Sequence, residues 1–309
     1  MATGNTLAVF GGHDGSVTSV AVTPDGRRLI TGSSDNMTRV WELTTGKQLA
    51  VLRGHTDAVT SVAVTPDGYR LVTGSSDKTA RVWDLATGTE LAVLKGHTDG
   101  VKSAAVTPDG SRLVTGSFDE TARVWELATG TQLVVLKGHT KWVSSVAVTP
   151  DGTRAITGSG DGTVRVWELA TGIQLAVLKG HADRVTSVAV TSDGIRLITG
   201  SEDKTARVWE LATGTQLAVL KGLDTINSVA VTSDSARLLV NGSSVNAAQV
   251  WELHPYGQAL IDRAKRMAPR CLTAEQRHRY HLPTSPPRWC DTMQKWPYGL
   301  ASWRLQSTQ

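Results

Sequence analysis

The sequence repeats a unit of 42 residues, and this period limits what the chain can fold into. A Gly-His dipeptide marks five units, at Gly12-His13, Gly54-His55, Gly96-His97, Gly138-His139 and Gly180-His181. Twenty-nine residues after each of these glycines stands a tryptophan followed by an acidic residue, at Trp41-Glu42, Trp83-Asp84, Trp125-Glu126, Trp167-Glu168 and Trp209-Glu210. Units of this length cannot bury an apolar face alone, so they must stack on one another.

Each unit contains four short runs with the composition of β strands. In the second unit these runs are Val59–Val64, Arg70–Ser75, residues 79–85 and Glu90–Lys95, which are rich in β-branched residues and bounded by turn residues. No run sustains the 3.6-residue period of a helix. Four-stranded antiparallel sheets repeated around an axis leave only short edges, so the pattern favours an all-β propeller.

These dipeptides at a 42-residue period resemble the WD-repeat β-propeller family over about four-fifths of the chain. The number of units predicts six blades, and the resemblance implies that an N-terminal strand at residues 6–10 completes the last blade. Seven blades, the commoner number in the family, is the alternative. A sixth unit keeps Gly222 and Trp251-Glu252 at the same spacing, but Leu223, Asn241 and Val245 stand where the other units have His, Thr and Asp.

The composition changes after the sixth unit. We therefore predict two domains: the propeller at residues 1–255 and a basic, partly helical tail at residues 256–309 that packs on it. Residues 253–309 contain nine Lys or Arg and three Asp or Glu, a balance of +6, whereas residues 1–252 contain 23 and 25, a balance of −2. The basic character belongs to the tail.

The resemblance also assigns a structural role to four residues in each of five units: a histidine, a strand threonine, a turn aspartate and the tryptophan. They are His13, Thr31, Asp35 and Trp41; His55, Thr73, Asp77 and Trp83; His97, Thr115, Asp119 and Trp125; His139, Thr157, Asp161 and Trp167; and His181, Thr199, Asp203 and Trp209. Thr, His and Asp can also form catalytic triads. A set that recurs with every unit belongs to the fold, however, so we predict no catalytic residues.

Positions that break the repeat indicate where a partner binds. The family presents three positions of each blade on its top rim, and in the first two units these positions hold small residues. In units three to five, five of the nine positions become large or charged, which has the composition of a binding hot spot. We predict that the partner-binding residues are Lys102, Phe118, Lys141, Trp142, Arg184 and Glu202. The alternative is that they are scattered surface residues.

The sequence predicts neither a metal site nor a cofactor. Cys271, His278, His281 and Cys290 have no familiar zinc spacing. No phosphate-binding loop or hydrolase motif is present, and the innermost strands contain almost only Val, Ser, Ala and Thr. An enzymatic or ligand-binding propeller that uses a central channel is therefore the weaker alternative, as is nucleic-acid binding through the diffuse charge of the tail.

We expect a non-catalytic scaffold or sensor module that binds protein or peptide partners. Tail residues 272–276 and 286–290 resemble C-terminal regions of bacterial multidomain signalling proteins, in which a WD-repeat region follows a caspase-like, TIR or NTPase module. This resemblance implies a bacterial source and a signalling or NTPase module among the partners. Two cysteines and the lack of an 18-residue apolar stretch predict a cytoplasmic chain without a membrane segment.

Overall fold

A computed structural model describes residues 8–222, 224–242 and 248–253. Within these ranges the regular secondary structure consists of 23 β strands, with no helix. The strands form five antiparallel sheets of four strands and one of three. The all-β prediction is confirmed for the described residues, and the repeated four-stranded sheets are consistent with a WD propeller.

The first three sheets follow one another along the chain. Sheet 1 contains β1 (Val17–Val22), β2 (Arg28–Ser33), β3 (Thr38–Glu42) and β4 (Gln48–Leu52). Sheet 2 contains β5 (Val59–Val64), β6 (Arg70–Ser75), β7 (Thr79–Asp84) and β8 (Glu90–Lys95). Sheet 3 contains β9 (Val101–Val106), β10 (Arg112–Ser117), β11 (Ala122–Glu126) and β12 (Gln132–Leu136).

The next two sheets repeat this order, and the last described sheet has three strands. Sheet 4 contains β13 (Val143–Val148), β14 (Arg154–Ser159), β15 (Val164–Glu168) and β16 (Gln174–Leu178). Sheet 5 contains β17 (Val185–Val190), β18 (Arg196–Ser201), β19 (Thr205–Glu210) and β20 (Gln216–Lys221). Sheet 6 contains β21 (Ile226–Val231), β22 (Arg237–Gly242) and β23 (Ala248–Glu252).

The turn between the first two strands of each sheet is fixed by its own side chains. In sheet 2, the Thr65 hydroxyl donates to the Asp67 carboxylate, which also accepts the backbone N–H of Tyr69 at 3.0 Å. Gly68 has a φ of 73°, a conformation that favours glycine. These local bonds end one strand and start the next without help from the rest of the chain.

Neighbouring sheets pack face to face through an apolar seam. We call the face by which a sheet contacts the sheet before it in the sequence its incoming face. The seam between sheets 1 and 2 buries Ile30, Val40 and Leu52 against Val59, Val62, Leu71, Trp83 and Leu85. A Cβ on Gly32 would lie 2.7 Å from Cγ1 of Val59, so the close approach requires glycine. The same approach occurs at Gly74, Gly116, Gly158 and Gly200.

A serine hydroxyl joins each pair of neighbouring first strands. The N–H of Val62 in β5 donates to Oγ of Ser19 in β1 at 3.1 Å. Equivalent bonds join Ser61 to Ala104, Ser103 to Val146, Ser145 to Val188 and Ser187 to Val229. Because the partner is a backbone group, the bond fixes the offset between sheets as well as their contact.

The incoming face of sheet 1 is exposed. Val17 and Val20 are 48% and 63% exposed, whereas their counterparts Val59 and Val62 in sheet 2 are 0% and 7% exposed. The difference comes from the neighbour, because a preceding sheet covers sheet 2. At the other end of the array, Val250 in β23 is 60% exposed, whereas Val208 in β19 is 5% exposed. The two terminal faces thus leave apolar side chains uncovered.

The sixth unit departs from the repeat by one residue. Val229 pairs with Val240, as Val188 pairs with Thr199 in sheet 5, so Val240 takes the place of the threonine. The prediction that Asn241 takes this place is wrong. Asn241 instead occupies the position of the seam glycine, opposite Ser228. Leu223 and Val245 lie outside the described residues.

Because of the same shift, Ile226 is equivalent to Val185 of sheet 5 and not to the rim residue Arg184. Ile226 begins β21, pairs with Gly242 as Val185 pairs with Ser201, and is 1% exposed. The even spacing of the tryptophans hides the shift. A residue is missing between Gly222 and Ile226, and one is added before Trp251, so the total length of the unit stays the same.

Of the predicted N-terminal strand at residues 6–10, the structure describes Ala8, Val9 and Phe10. These three residues are not assigned to a strand. The Phe10 ring lies edge-on to Trp41, with 5.9 Å between the ring centroids. Ring closure by this segment therefore stays a prediction.

The predicted tail at residues 256–309 lies outside the described residues, as does the predicted domain boundary at 255. No helix that is long and apolar enough to span a bilayer occurs within the described ranges.

Candidate functional site

The predicted four-residue set of sheet 2 forms a continuous chain of hydrogen bonds. The indole N–H of Trp83 donates to Oγ1 of Thr73 at 2.9 Å. Nε2 of His55 lies 2.7 Å from the same oxygen, and its Nδ1 lies 2.7 Å from Oδ2 of Asp77. Because the threonine oxygen accepts from the indole, its proton points to Nε2, and His55 then carries its own proton on Nδ1.

The structure brings the other four predicted sets together in the same way. Their histidine, threonine and aspartate side chains and the indole nitrogen are joined at 2.7–2.9 Å. The sets are His13, Thr31, Asp35 and Trp41; His97, Thr115, Asp119 and Trp125; His139, Thr157, Asp161 and Trp167; and His181, Thr199, Asp203 and Trp209. Each set joins the loop before a sheet to the second strand, the following turn and the third strand.

This arrangement has no accessible nucleophile. Thr73 is 0% exposed, and both the proton and the acceptor site of its hydroxyl are used within the set. The His55 side chain is 1% exposed. A catalytic hydroxyl must reach a substrate, so these sets hold the sheets together and do no chemistry.

The aspartates of these sets are stabilised as carboxylates. Burial by itself would raise the pKa of Asp203, but hydrogen bonds from Thr205, Ala182 and His181 outweigh it and lower the pKa to about 2. The pKa values of Asp35, Asp77, Asp119 and Asp161 are lowered further, with burial again opposed by the bond to the histidine. Burial also lowers the pKa of His181, although Asp203 opposes this shift.

Two positions of each unit meet at the rim, where the loop before the sheet touches the turn after the second strand. We call them rim pairs, because the backbone N–H of the second residue donates to the carbonyl of the first at 2.9–3.0 Å. They are Ser16 and Ser34, Ala58 and Ser76, Gly100 and Phe118, Trp142 and Gly160, and Arg184 and Glu202. Four of the six predicted binding residues, Phe118, Trp142, Arg184 and Glu202, belong to the last three pairs.

The last three rim pairs are complementary in size or charge. A Cβ on Gly160 would lie 2.8 Å from Cε2 of Trp142, so the indole lies flat over the glycine. Phe118 approaches Gly100 in the same manner, with 3.4 Å between its Cδ2 and a Cβ built there. In sheet 5 the pair is ionic, since Arg184 Nη2 lies 2.7 Å from Oε2 of Glu202.

These pairs form a row across sheets 3, 4 and 5, which we call the rim row: Lys102, Phe118, Trp142, Arg184 and Glu202. The rings of Phe118 and Trp142 lie 6.2 Å apart between centroids, inclined by 50°. Lys102 Nζ lies 5.8 Å from the centre of the Phe118 ring, and the Arg184 guanidinium carbon lies 5.6 Å from that of Trp142. Both are cation–π distances. The rings are thus held between two cations.

Lys141, the sixth predicted residue, lies beside this row. Its carbonyl accepts the Ser159 hydroxyl at 3.0 Å, and its side chain is exposed. The structure thus places all six predicted residues on neighbouring sheets. Gly100 and Gly160 were not among the predicted residues, although each is a glycine paired with a large residue in its own unit.

The Phe118–Trp142 contact of the rim row lies at the seam between sheets 3 and 4, which keeps its serine bond but, alone among the seams of the described sheets, lacks a second hydroxyl bridge. The Thr60 hydroxyl in sheet 2 lies 3.1 Å from the carbonyl oxygen of Gly74 and 2.6 Å from that of Val101, so its single proton is shared between two sheets. Thr18, Ser144 and Thr186 make the same bridge. Lys102 holds this position in sheet 3 and has no hydroxyl, so the Phe118–Trp142 contact spans a seam that is less tightly joined.

Comparison with known families explains the repeated part. The model of the WD domain, G-beta repeat, matches five times, over residues 4–42, 46–84, 88–126, 130–168 and 172–210. The chain belongs to the WD40 family. WD40 repeats generally mediate protein–protein interactions, and proteins built from them are typically non-enzymatic scaffolds. The sixth unit is outside the matched ranges, and no curated protein matches the chain.

The described residues contain no group of three or more His, Cys, Asp or Glu side chains that could hold a metal ion. Cys271, His278, His281 and Cys290, whose spacing does not predict a zinc site, lie outside the described residues.

Acid should destabilise the fold. A carboxyl whose pKa is lower in the folded than in the unfolded chain stabilises the fold above its unfolded pKa of about 3.9, and this contribution is lost as the pH falls toward the folded value. The lowered pKa of His181 acts in the same direction below about pH 6.5. We expect the free energy of unfolding, measured by urea denaturation, to fall between about pH 6 and pH 2. Asp77→Asn should make the fall shallower, and a constant value down to pH 3 would contradict the prediction.

The missing hydroxyl bridge can be restored. Lys102→Thr supplies the donor that Thr60 supplies one seam earlier, whereas Lys102→Ala removes the lysine without adding one. We expect the threonine variant to exceed the alanine variant in free energy of unfolding by about 0.5–1.5 kcal/mol. Thr60→Ala should lower the value at the intact seam by a similar amount. Equal stability of the two Lys102 variants would show that the bridge contributes nothing.

Proposed function

We propose that this chain is a non-catalytic interaction module that binds a protein or peptide partner on the rim row. The observation that carries the proposal is the ordered arrangement of Lys102, Phe118, Trp142 and Arg184 across three sheets. The remaining rim pairs, in sheets 1 and 2, contain only serine and alanine. An interface needs aromatic or arginine anchors, and on the described rim pairs these occur in one sector.

The construction of the rim row supports this proposal. Phe118 is 39% exposed while its ring stays in contact with Trp142, and the Trp142 indole is held by Gly160 beneath it and Arg184 beside it. A side chain that is fixed before binding loses little conformational entropy when a partner arrives. The rings are therefore suited to be anchors.

The finer architecture also stays a proposal. We infer that the sheets close into a six-bladed ring, with the N-terminal segment as the outer strand of the sheet that precedes sheet 1; seven blades is the alternative. Phe10 contacts Trp41 of sheet 1, and Leu52, the equivalent residue one unit later, packs in the same cluster as Trp83 of sheet 2. Sheet 6 has three strands among the described residues. Asn241 in place of the seam glycine means that the closing contact differs from the other seams.

The cellular setting is likewise proposed. The small number of cysteines supports a cytoplasmic location. A bacterial source, a signalling or NTPase module among the partners, and nucleic-acid binding by the tail rest on residues outside the described ranges.

Thiol labelling tests closure. Closure would cover the incoming face of sheet 1, which is exposed in the described structure. Val20→Cys, in a chain whose native cysteines are replaced by serine, should then react with a maleimide as slowly as Val62→Cys, whose position is buried at a seam. Tyr69→Cys, at a position that is 71% exposed, gives the fast limit. If Val20→Cys labels as fast as Tyr69→Cys, the incoming face of sheet 1 is open and the ring is not closed.

Selection from a random peptide library tests the function. Peptides of about a dozen residues selected on the whole chain should lose about tenfold or more of their affinity when Phe118→Ser and Trp142→Ala are combined. Both substitutions restore residues that other units carry at these positions, so the fold should survive. Ala58→Ser with Ser76→Ala is the matched control on sheet 2 and should leave the affinity unchanged. Peptides that bind both forms equally would refute binding at the rim row.

A further inference from the structure

We propose that the rim row recognises an acidic peptide segment that carries an aromatic or large apolar side chain. This inference rests on the proposed function and adds the chemistry of the partner. It follows from where the units depart from their own repeat.

Four departures from the repeat meet at one seam, between sheets 3 and 4. Lys102 replaces a hydroxyl residue and Phe118 replaces the serine of Ser34 and Ser76. Lys141 replaces the aspartate found at three equivalent positions, and Trp142 replaces a small residue. The three equivalent aspartates are Asp57, Asp99 and Asp183. Two departures add an apolar ring and two add a positive charge, so together they form an apolar surface with cations beside it.

The ammonium groups of Lys102 and Lys141 are available to pair with a carboxylate of a ligand. Neither Lys102 nor Lys141 forms an ion pair within the described residues, whereas Arg184 is already paired with Glu202 at 2.7 Å. At the position of Lys141, Asp57, Asp99 and Asp183 each accept a backbone N–H of the following residue at 2.7 Å. Lysine cannot accept this bond. The substitution therefore gives up a local turn contact and reverses the charge that faces solvent.

The ring pair selects the apolar part of the ligand. Phe118 and Trp142 are inclined by 50° and do not stack face to face, so the partly exposed Phe118 ring can contact a further side chain. An aromatic or large aliphatic group placed there would have ammonium groups nearby. Carboxylates next to it in the peptide would then meet Lys102 and Lys141.

A peptide fits this surface better than a nucleic acid. A phosphodiester chain needs a series of cations along its path, and its binding scales with the number of phosphates contacted. Here Asp99, Asp183 and Glu202 lie in the turns of the same sector, and residues 1–252 contain 23 basic and 25 acidic residues. Isolated carboxylates can pair with two lysines at one seam, whereas a polyanion would also meet the acidic turns.

The experiment uses fluorescein-labelled peptides from the selection described above, with the whole chain. Each peptide is compared with an analogue in which glutamine and asparagine replace its Glu and Asp. The charge variants are Lys102→Thr and Lys141→Asp, which restore the residues of other units. Arg53→Asp, at an exposed position directly after β4 of sheet 1, makes the same change of charge as Lys141→Asp and serves as its control. Thermal unfolding confirms that each variant is folded.

We expect the selected peptides to carry Asp or Glu within two residues of Trp, Tyr, Phe or Leu. The amide analogues and Lys141→Asp should each weaken binding by about tenfold, and added salt should weaken it as well. Arg53→Asp should change the affinity little.

Three results would overturn the inference. The first is that peptides that need Phe118 and Trp142 for binding contain no acidic residues, or bind the Lys102→Thr and Lys141→Asp variants as tightly as the unchanged chain. This result would leave the proposed function intact and would show that the rim row does not recognise acidic residues. Tighter binding of a fluorescein-labelled oligothymidine, lost on Lys102→Thr and Lys141→Asp, would assign the row to nucleic acid. If the affinity of every selected peptide is unchanged by Phe118→Ser combined with Trp142→Ala, the proposed function is refuted as well.

Discussion

A single buried hydroxyl holds each of the first five sheets in its shape. In sheet 2, the Thr73 hydroxyl accepts a hydrogen bond from Trp83 and donates one to His55, whose other ring nitrogen is hydrogen-bonded to Asp77. One oxygen atom thereby connects the second and third strands with the loop before the first. Because an unpaired buried polar group is costly, any other arrangement of these segments would be less stable. The repetition of one geometry in five sheets follows from this constraint.

Uniform sheets produce uniform seams, and the uniformity makes one exception informative. Every seam from sheet 1 to sheet 6 has the serine bond between first strands, and four of them add a second hydroxyl bridge. Lys102 removes that bridge between sheets 3 and 4, where Phe118 and Trp142 meet. The residues that do not serve the fold are thus concentrated in one place. This is the basis for the proposal that a partner binds at that sector of a WD40 chain.

The ends of the array follow different rules from its middle. Interior sheets approach closely because a glycine such as Gly200 lies beneath the branched side chain of the next sheet, here Ile226. Asn241 takes this position in sheet 6, and a glycine is therefore absent from the place where the close approach of the interior seams requires one. Val20 on sheet 1 is exposed at the opposite end. A contact between sheets 6 and 1 would therefore have to pack differently from the interior seams.

The sequence alone determined the period, the strand positions and the residues of each hydrogen-bonded set, because these depend on spacing within one unit. It also identified six rim residues as departures from the repeat. Only the tertiary structure showed that Trp142 lies over Gly160, that Lys102 and Arg184 flank the two rings, and that sheet 6 is shifted by one residue. These facts depend on contacts between sheets and on pairing register. A spacing of 42 residues between tryptophans records neither, since a deletion and an insertion within one unit cancel.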